Sequence, residues 1–208
     1  MKPDPAPLFP FPLAEARPVV LAGADFDIAD PAAMAAFIDR ARGPAPAAIG
    51  GYGENRGIYA ASPLFGTPAA GEEPRVIHLG IDVWTDAGTP VSAPLDAVVH
   101  SFADNDRFGD YGGTVILEHR AAAGVFWTLY GHLARRSLAA LAEGRSVGRG
   151  EVFAWLGEPA ENGGWPPHLH FQLITDLLGM RGDFPGVATV SEREYWLGLC
   201  PDPSDLMV

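Results

Sequence analysis

Short runs of β-branched and aromatic residues, separated by Gly, Pro, Asp and Asn, make up most of the chain from about Val76 onward. The runs are VIHLGIDVW, TPVSAPLDAVVHSFAD, GGTVILEHR, GVFWTLYGHL, SVGRGEVFAWLG and HLHFQLIT. Residues of these types favour strands, and the turn-forming residues between them allow neighbouring strands to pair in opposite directions. The pattern therefore predicts a mainly β fold built from antiparallel sheets.

One segment before this region has the pattern of a helix instead. Asp30 can cap its N-terminus, and Gly43 follows its last residue. Met34 and Ile38 are four residues apart and so share one face, which can be buried. We expect a short N-terminal helix over residues 30–42.

The pattern divides the chain into two parts. Residues 1–65, which are proline-rich at their start, predict an arm that contains this helix and packs on the body. Residues 66–208 predict one β domain, with a loop-rich C-terminal extension from about residue 176. Within this domain, the run SLAALAEG over 137–144 predicts a further helix, with Ser137 as its N-cap.

Composition and charge narrow the functions that such a domain can have. The chain has 208 residues, of which 48% are hydrophobic, and a net charge of −12. Nucleic acids and anionic membranes select basic surfaces, so neither is an expected partner. No apolar run approaches the ~18 residues of a membrane span. There is a single cysteine, Cys200, and no signal peptide is evident, so we expect a cytoplasmic protein. The oligomeric state stays open.

The first motif with chemical potential is HLGID, which contains His78 and Asp82. A straight strand would hold these two residues about 13 Å apart. Two ligands of one zinc ion need donor atoms within roughly 3–4 Å of each other. Gly80, between them, would tolerate the bend that closes this gap.

Two further motifs are LYGHL, with His132, and PPHLHFQL, with His168 and His170. In a strand, His168 and His170 face the same side, about 6.6 Å apart. Any one motif alone favours an ordinary solvated or hydrogen-bonded histidine, and that interpretation is kept for His100 and His119. Together, the three motifs offer two histidines and a carboxylate for zinc, with further histidines for proton transfer.

The connected motifs resemble the lysostaphin/LytM-type zinc metallopeptidases. They are HLGID, GTPVSAPLDAVV, YGGTVILEH, LYGHL, VGRGEVFAWLG and PPHLHFQL, in order over about residues 76–175. The resemblance implies a barrel-sandwich-hybrid fold, in which antiparallel β-sheets form a groove, and one zinc ion per chain. It also implies hydrolysis of peptide bonds in peptidoglycan-type or related small peptides, muropeptides included.

The same resemblance assigns individual residues. The family's H-x-x-x-D pair corresponds to His78 and Asp82, and the second histidine of its H-x-H corresponds to His170. These three are the implied zinc ligands. The first histidine of H-x-H, His168, and the histidine of the Y-x-H segment, His132, are the implied catalytic residues. Either could be the general base, with the other stabilising the oxyanion.

Two segments stand apart from the family pattern. ENGGWPP replaces the usual glycine-rich run before H-x-H, which makes Trp165 a candidate residue of the substrate groove, and Gln172 stands where glutamate is common. Upstream, YGENRGIY is typical of a loop. The alternative is that this loop covers the groove and brings Asn55 or Arg56 to the metal or the substrate.

Two other functions stay open beside the peptidase. The domain could be a non-catalytic or regulatory binding module, because degenerate relatives act through their grooves. It could also be a cytoplasmic amide hydrolase that works beside another enzyme. The peptidase is preferred because degenerate relatives typically lose ligands, whereas every expected ligand position is filled here.

Overall fold

The structure is a computed structural model that describes residues 4–28, 30–62, 64–66, 72–122 and 124–208. The first three residues of the expected N-terminal arm lie outside these ranges. Its strands are β1 (Arg17–Val19), β2 (Ala48–Gly50), β3 (Ile77–His78), β4 (Ile81–Trp84), β5 (Pro90–Ser92), β6 (Ala97–Asn105), β7 (Gly112–Ala121), β8 (Gly124–Leu133), β9 (Ser146–Val147), β10 (Val152–Trp155), β11 (His168–Ile174) and β12 (Val187–Ala188). Its α-helices are α1 (Pro31–Arg42), α2 (Arg135–Ala139) and α3 (Arg193–Leu199).

One large sheet organises the molecule. Its eight strands run in the order β1-β2-β4-β11-β8-β7-β6-β9, and every pairing in it is antiparallel except that of β1 with β2. Two small sheets, β10–β5 and β12–β3, flank it. The predicted mainly β fold with antiparallel sheets is confirmed. Among the described residues, no helix is both long and apolar enough to cross a membrane.

The N-terminal part of the chain, by which we mean the described residues before β3, does more than pack on the body. The predicted helix is confirmed as α1, where the Asp30 side chain accepts hydrogen bonds from Ala32 N and Ala33 N. In addition, β2 pairs with β4 and so extends the large sheet. Gly50 permits this pairing, because a Cβ atom there would come within 2.6 Å of the Trp84 ring. The division of the chain at residue 65 stays a prediction.

The predicted helix over 137–144 is wrong in position. The observed helix α2 covers Arg135–Ala139, and Ser137 lies inside it, fully buried. The Ser137 hydroxyl accepts a hydrogen bond from Trp155 N, 2.9 Å away on β10. Its partner is therefore a neighbouring strand and not the N-terminus of its own helix, which sequence spacing alone could not show.

Strand alternation gives the large sheet two buried faces. On β11, Leu169 and Phe171 join the apolar cluster on one side. His168, His170 and Gln172 alternate with them and face the other side. The cluster on that second side includes several residues that precede β3, namely Val19, Leu21, Met34, Ile38 and Tyr59. The N-terminal part therefore helps to cover the face that carries the histidines.

Candidate metal centre

The sheet itself brings two of the expected ligands together. In the antiparallel pair β4–β11, Asp82 and His170 are direct partners across the ladder. Directly opposite residues project from the same face with their Cβ atoms about 5 Å apart. His168, two residues earlier on β11, lies on the same face opposite Trp84.

A bend between β3 and β4 adds the third expected ligand. β3 ends at His78 and β4 begins at Ile81, so the straight strand that would separate His78 from Asp82 is interrupted. His78 Nε2 lies 3.3 Å from Asp82 Oδ2. The bend has room only for a glycine at position 80, because a Cβ atom there would lie 2.6 Å from the Phe171 carbonyl oxygen and 2.8 Å from the His170 ring.

The donor atoms of these three residues converge. His78 Nε2 lies 3.0 Å from His170 Nδ1, and His170 Nδ1 lies 3.1 Å from Asp82 Oδ1. Among the described residues, His78, Asp82 and His170 are the one group whose ligand atoms cluster in this way, all within 4.8 Å of one another. All three residues are buried.

The backbone fixes which nitrogen of His78 carries the proton. His78 Nδ1 lies 3.0 Å from the carbonyl oxygen of Gly51. A carbonyl oxygen can only accept, so Nδ1 carries the hydrogen and Nε2 keeps a bare lone pair. That lone pair faces the ligand cluster.

A side chain has the same effect on His170. Gln172 Nε2 donates to the carbonyl oxygen of Pro185 at 3.1 Å, which orients the amide so that Gln172 Oε1 faces His170 Nε2 at 2.8 Å. Gln172 thus favours the tautomer of His170 with the hydrogen on Nε2, which leaves Nδ1, 3.1 Å from Asp82 Oδ1, as the ring nitrogen for a metal ion. The two bare nitrogens of His78 and His170 thus face each other beside a carboxylate. This donor set fits a divalent cation such as zinc, which two imidazoles and a carboxylate bind readily.

His132 and His168 form a second pair next to the first. Their ring centroids are 4.0 Å apart. Each donates through Nδ1 to a backbone carbonyl, His132 to Asn162 at 2.9 Å and His168 to Pro166 at 2.7 Å. Each therefore keeps a bare Nε2, and that of His168 lies 3.9 Å from Asp82 Oδ1. These nitrogens can accept a proton at the site.

An irregularity in β8 places His132. The register between β7 and β8 shifts between Gly113 and Val115, and His132 has a φ of 63°. This left-handed conformation is costly for a residue other than glycine, and bulges of this kind re-aim side chains near functional sites. Tyr111 O accepts from His132 N at 2.8 Å and helps to hold the irregular backbone.

Burial keeps His78, His132 and His168 neutral by lowering the pKa of each. It lowers the pKa of His78 to about 4, with the Arg56 charge acting in the same direction, and it lowers the pKa of His168 to about 4. Burial and the neighbouring His168 hold the pKa of His132 well below the ordinary value. Burial alone would raise the pKa of Asp82, but the neighbouring His78 and Arg56 outweigh it and keep this pKa well below the usual range. At neutral pH, His78, His132 and His168 are therefore neutral imidazoles beside the Asp82 carboxylate.

A pocket of about 310 Å³ opens beside these residues. Its wall includes the aromatic side chains of Tyr59, Phe65, Tyr111 and Trp165, together with both histidine pairs. The Trp165 ring centroid lies 6.3 Å from that of His132. Trp165, a candidate groove residue from the sequence, thus lines the pocket next to His132.

The two upstream candidates have different surroundings. Neither Asn55 nor Arg56 is among the described residues that line the pocket. Asn55 forms an isolated backbone bridge with Ile77. Arg56 is fully buried and donates through Nη1 to Asp82 Oδ2. Arg56 therefore contacts the Asp82 carboxylate without forming part of the pocket wall.

The functional contacts that the sequence did not predict are mostly backbone atoms. The carbonyl groups of Gly51, Asn162 and Pro166 fix three histidines, and no residue-type signal marks a carbonyl acceptor. Gln172 was visible in the sequence as a departure from the family pattern. Its hydrogen bond to His170 follows from two-residue spacing on β11, but its amide orientation depends on distant Pro185.

A family model for peptidase family M23 matches residues 76–180, about half of the chain. The chain belongs to peptidase family M23. The matched residues contain the cluster of His78, Asp82 and His170 as well as His132 and His168. M23 peptidases are zinc-dependent, and the buried ligand cluster could hold that metal ion.

Several solved structures resemble the chain in part. A zinc-containing peptidase from Vibrio cholerae is 30% identical, with a TM-score of 0.38, over 47% of this chain and 27% of its own length. The catalytic domain of lysostaphin from Staphylococcus simulans is 22% identical, with a TM-score of 0.38, over 58% of this chain and 80% of its own. The prophage-encoded M23 protein EnpA from Enterococcus faecalis, as the catalytic domain of a mutant, is 23% identical, with a TM-score of 0.40, over 58% and 89%. No curated protein matches the chain. The chain thus spans about a quarter of the length of the Vibrio cholerae peptidase.

Proposed function

We propose that this M23 protein is a zinc-dependent peptidase that hydrolyses peptide bonds in small peptides of the peptidoglycan type. The observation that carries the proposal is the convergence of bare nitrogens. His78 and His170 turn theirs to the Asp82 carboxylate, and His132 and His168 keep theirs bare beside it. A structural histidine cluster would instead satisfy these atoms with hydrogen-bond donors.

The proposed chemistry divides the residues into two roles. His78, Asp82 and His170 would hold the zinc ion. When bound, zinc lowers the pKa of a coordinated water and polarises a scissile carbonyl. His132 and His168 are the proposed catalytic residues, since each presents a neutral Nε2 that can take a proton from the attacking water and return it to the leaving amine. A protonated histidine of this pair can also stabilise the developing oxyanion.

The pocket supports a short peptide as the substrate. Its aromatic side, with Tyr59, Phe65 and Trp165, can bury an apolar part of a peptide next to the reacting groups. Tyr59 and Phe65 precede the matched family region, so the proposed specificity depends partly on the N-terminal part of this chain. Muropeptides and short peptides of varied side-chain size are the substrates to compare.

The test is metal analysis combined with a cleavage assay. The purified protein should contain about one zinc ion per chain. It should cleave members of a peptide library that includes muropeptides, and activity should disappear with a chelator and return with zinc. His168→Ala should keep the metal and lose cleavage.

The alternatives make different predictions in the same assay. A binding or regulatory module would bind peptides or muropeptides without cleaving any of them. A cytoplasmic amide hydrolase acting beside another enzyme would cleave a non-peptide amide and leave the library intact. Either result would contradict the proposed peptidase activity. The cellular location stays a prediction.

A further inference from the structure

Residues 51–56, which we call the upstream segment, run alongside β3 although they precede the matched family region. Gly53 N donates to His78 O at 2.9 Å, and His78 N donates to Glu54 O at 2.9 Å. Arg56 N donates to Val76 O at 2.8 Å. These backbone hydrogen bonds fix the upstream segment against the strand that carries the first expected ligand.

From this position the upstream segment reaches two of the three expected ligands. The carbonyl oxygen of Gly51 accepts from His78 Nδ1 at 3.0 Å. Arg56 Nη1 lies 2.5 Å from Asp82 Oδ2 and 2.7 Å from the Tyr59 hydroxyl. His170 has its own partner, Gln172, on β11. The ligand that pairs with Arg56 is also the only carboxylate of the cluster.

The Arg56 side chain is itself held in place. Its Nε lies 2.8 Å from Glu54 Oε2. Glu54 Oε1 in turn accepts from the backbone nitrogens of Leu21 at 2.6 Å and Ala22 at 2.9 Å. A fully buried guanidinium requires such pairing, since an isolated buried charge is strongly destabilising. The result is a fixed chain of contacts from the N-terminal part to the Asp82 carboxylate.

We propose that the upstream segment positions the metal ligands, with the Gly51 carbonyl orienting His78 and Arg56 orienting Asp82. Arg56 engages Asp82 Oδ2, so Oδ1, which lies 3.1 Å from His170 Nδ1, is the oxygen that Asp82 would offer to a bound metal ion. Arg56 is a positioning residue and touches no substrate. Partners behind metal ligands of this kind typically change metal affinity by about 10–100-fold. The inference rests on the proposed function, because it assumes that the cluster binds zinc.

The test compares three variants of the full chain by zinc titration against a chromophoric chelator. Arg56→Met removes the contact with Asp82. Arg56→Lys keeps a charge but lacks the planar fork that bridges two carboxylates. Arg42→Met is the matched control, because Arg42 ties α1 to Asp86 through a 2.8 Å ion pair and touches no ligand. Circular dichroism checks that each variant is folded.

The expected result is graded. Zinc affinity should fall about 10–100-fold in Arg56→Met and less in Arg56→Lys, with no change in Arg42→Met. Absorption of the cobalt-substituted protein gives a second readout, because a reoriented Asp82 changes the d–d bands, whereas a purely structural loss of stability does not. If Arg56→Met fails to fold, the affinity and spectrum of Arg56→Lys decide the question.

The inference would be overturned by wild-type zinc affinity and cobalt bands in the folded Arg56 variants. It would also be overturned by an equal loss in Arg42→Met, which would mean that any loosening of the N-terminal part has the same effect. These results differ from a failure of the proposed function. In that case, the wild-type protein itself would bind no zinc or cleave no peptide.

Discussion

His119, on β7 of the large sheet, and the histidines of the metal centre, on β3 and β11, are all buried, yet their hydrogen-bonding arrangements are opposite. His119 Nδ1 lies 3.1 Å from the carbonyl oxygen of Asp96, and its Nε2 lies 2.7 Å from the Thr128 hydroxyl. The Thr128 hydroxyl is also 3.1 Å from that of Tyr130. A hydroxyl can donate to one partner while it accepts from another, so both ring nitrogens of His119 are satisfied.

In the metal centre one ring nitrogen also donates to a carbonyl oxygen, but among the described residues no hydrogen-bond donor reaches the other ring nitrogen. His78 has its Nδ1 on a backbone carbonyl, as His119 does, but its Nε2 faces another bare nitrogen, that of His170. A buried lone pair without a donor costs stability. A backbone carbonyl that accepts from one ring nitrogen is thus common to structural and functional histidines. What distinguishes the functional ones is where the second nitrogen points and what it meets there.

The largest expected effect comes from removing an expected zinc ligand from the metal centre. His170→Ala should abolish zinc binding and lower peptide cleavage by roughly a thousand-fold or more, because the metal supplies several kcal/mol of transition-state stabilisation. His119→Ala, the matched change, should keep both zinc and activity and lose only stability. Metal analysis and initial rates check both variants. Retained zinc in His170→Ala would remove the distinction between the two regions.

The next effect separates ligands from proton-transferring groups inside the centre. His168→Ala and His132→Ala should bind zinc with wild-type stoichiometry and lose about 10²–10⁴-fold in kcat, the usual contribution of a general acid or base. Stopped assays with zinc measured in the same samples provide the check. Undiminished kcat in both variants would show that neither histidine takes part in the reaction.

The bare nitrogens also predict how acid affects the zinc-free protein. The pKa of His168 and of His78 is about 4 in the folded state, against an ordinary value of 6.5. Between these values the unfolded chain binds protons that the folded chain does not, so stability falls as the pH falls from about 6.5 to 4. His168 alone should account for a loss on the order of 3 kcal/mol.

Urea unfolding of the zinc-free protein at about pH 7 and pH 4.5 measures this loss. His168→Gln cannot be protonated in this range and should show a weaker pH dependence than the wild type. An equal dependence in both proteins would mean that other groups control acid sensitivity.

A smaller effect on zinc affinity is expected from changing the side chain that hydrogen-bonds to the ring of a metal ligand. Gln172→Met removes the partner of His170 Nε2 and should weaken zinc binding about tenfold, whereas Gln172→Glu keeps an acceptor and should bind zinc at least as tightly. Thr128→Val makes the matching change at His119 and should cost about 1–3 kcal/mol of stability without altering zinc affinity. Chelator competition and urea unfolding measure the two quantities. Wild-type zinc affinity in Gln172→Met would contradict the assigned proton position on His170.

The sequence predicted the parts of this arrangement that depend on local pattern. Strand alternation placed His168 and His170 on one face, and capping residues located α1. The family motifs pointed to the residues of the ligand cluster. Their spacing also required a bend at Gly80, although the cause proved to be the close approach of Phe171 and His170.

Other features depend on long-range contacts that leave no local signal. The left-handed backbone of His132 belongs to a register shift between β7 and β8, and positive φ is uncommon for residues other than glycine even though histidine is enriched among them. Arg56 looked like part of a polar loop, but its partner Asp82 is 26 residues away in the chain. Pairings of this kind arise only when the N-terminal part joins the sheet.

The most direct test of the central claim is a crystal structure of the zinc-loaded protein with anomalous data collected at the zinc edge. We expect an anomalous peak within bonding distance, about 2.0–2.2 Å, of His78 Nε2, Asp82 Oδ1 and His170 Nδ1. His132 and His168 should remain unbound, with their Nε2 atoms turned to the pocket. A peak at any other residues, or zinc bound to the opposite nitrogen of His78 or His170, would contradict the account.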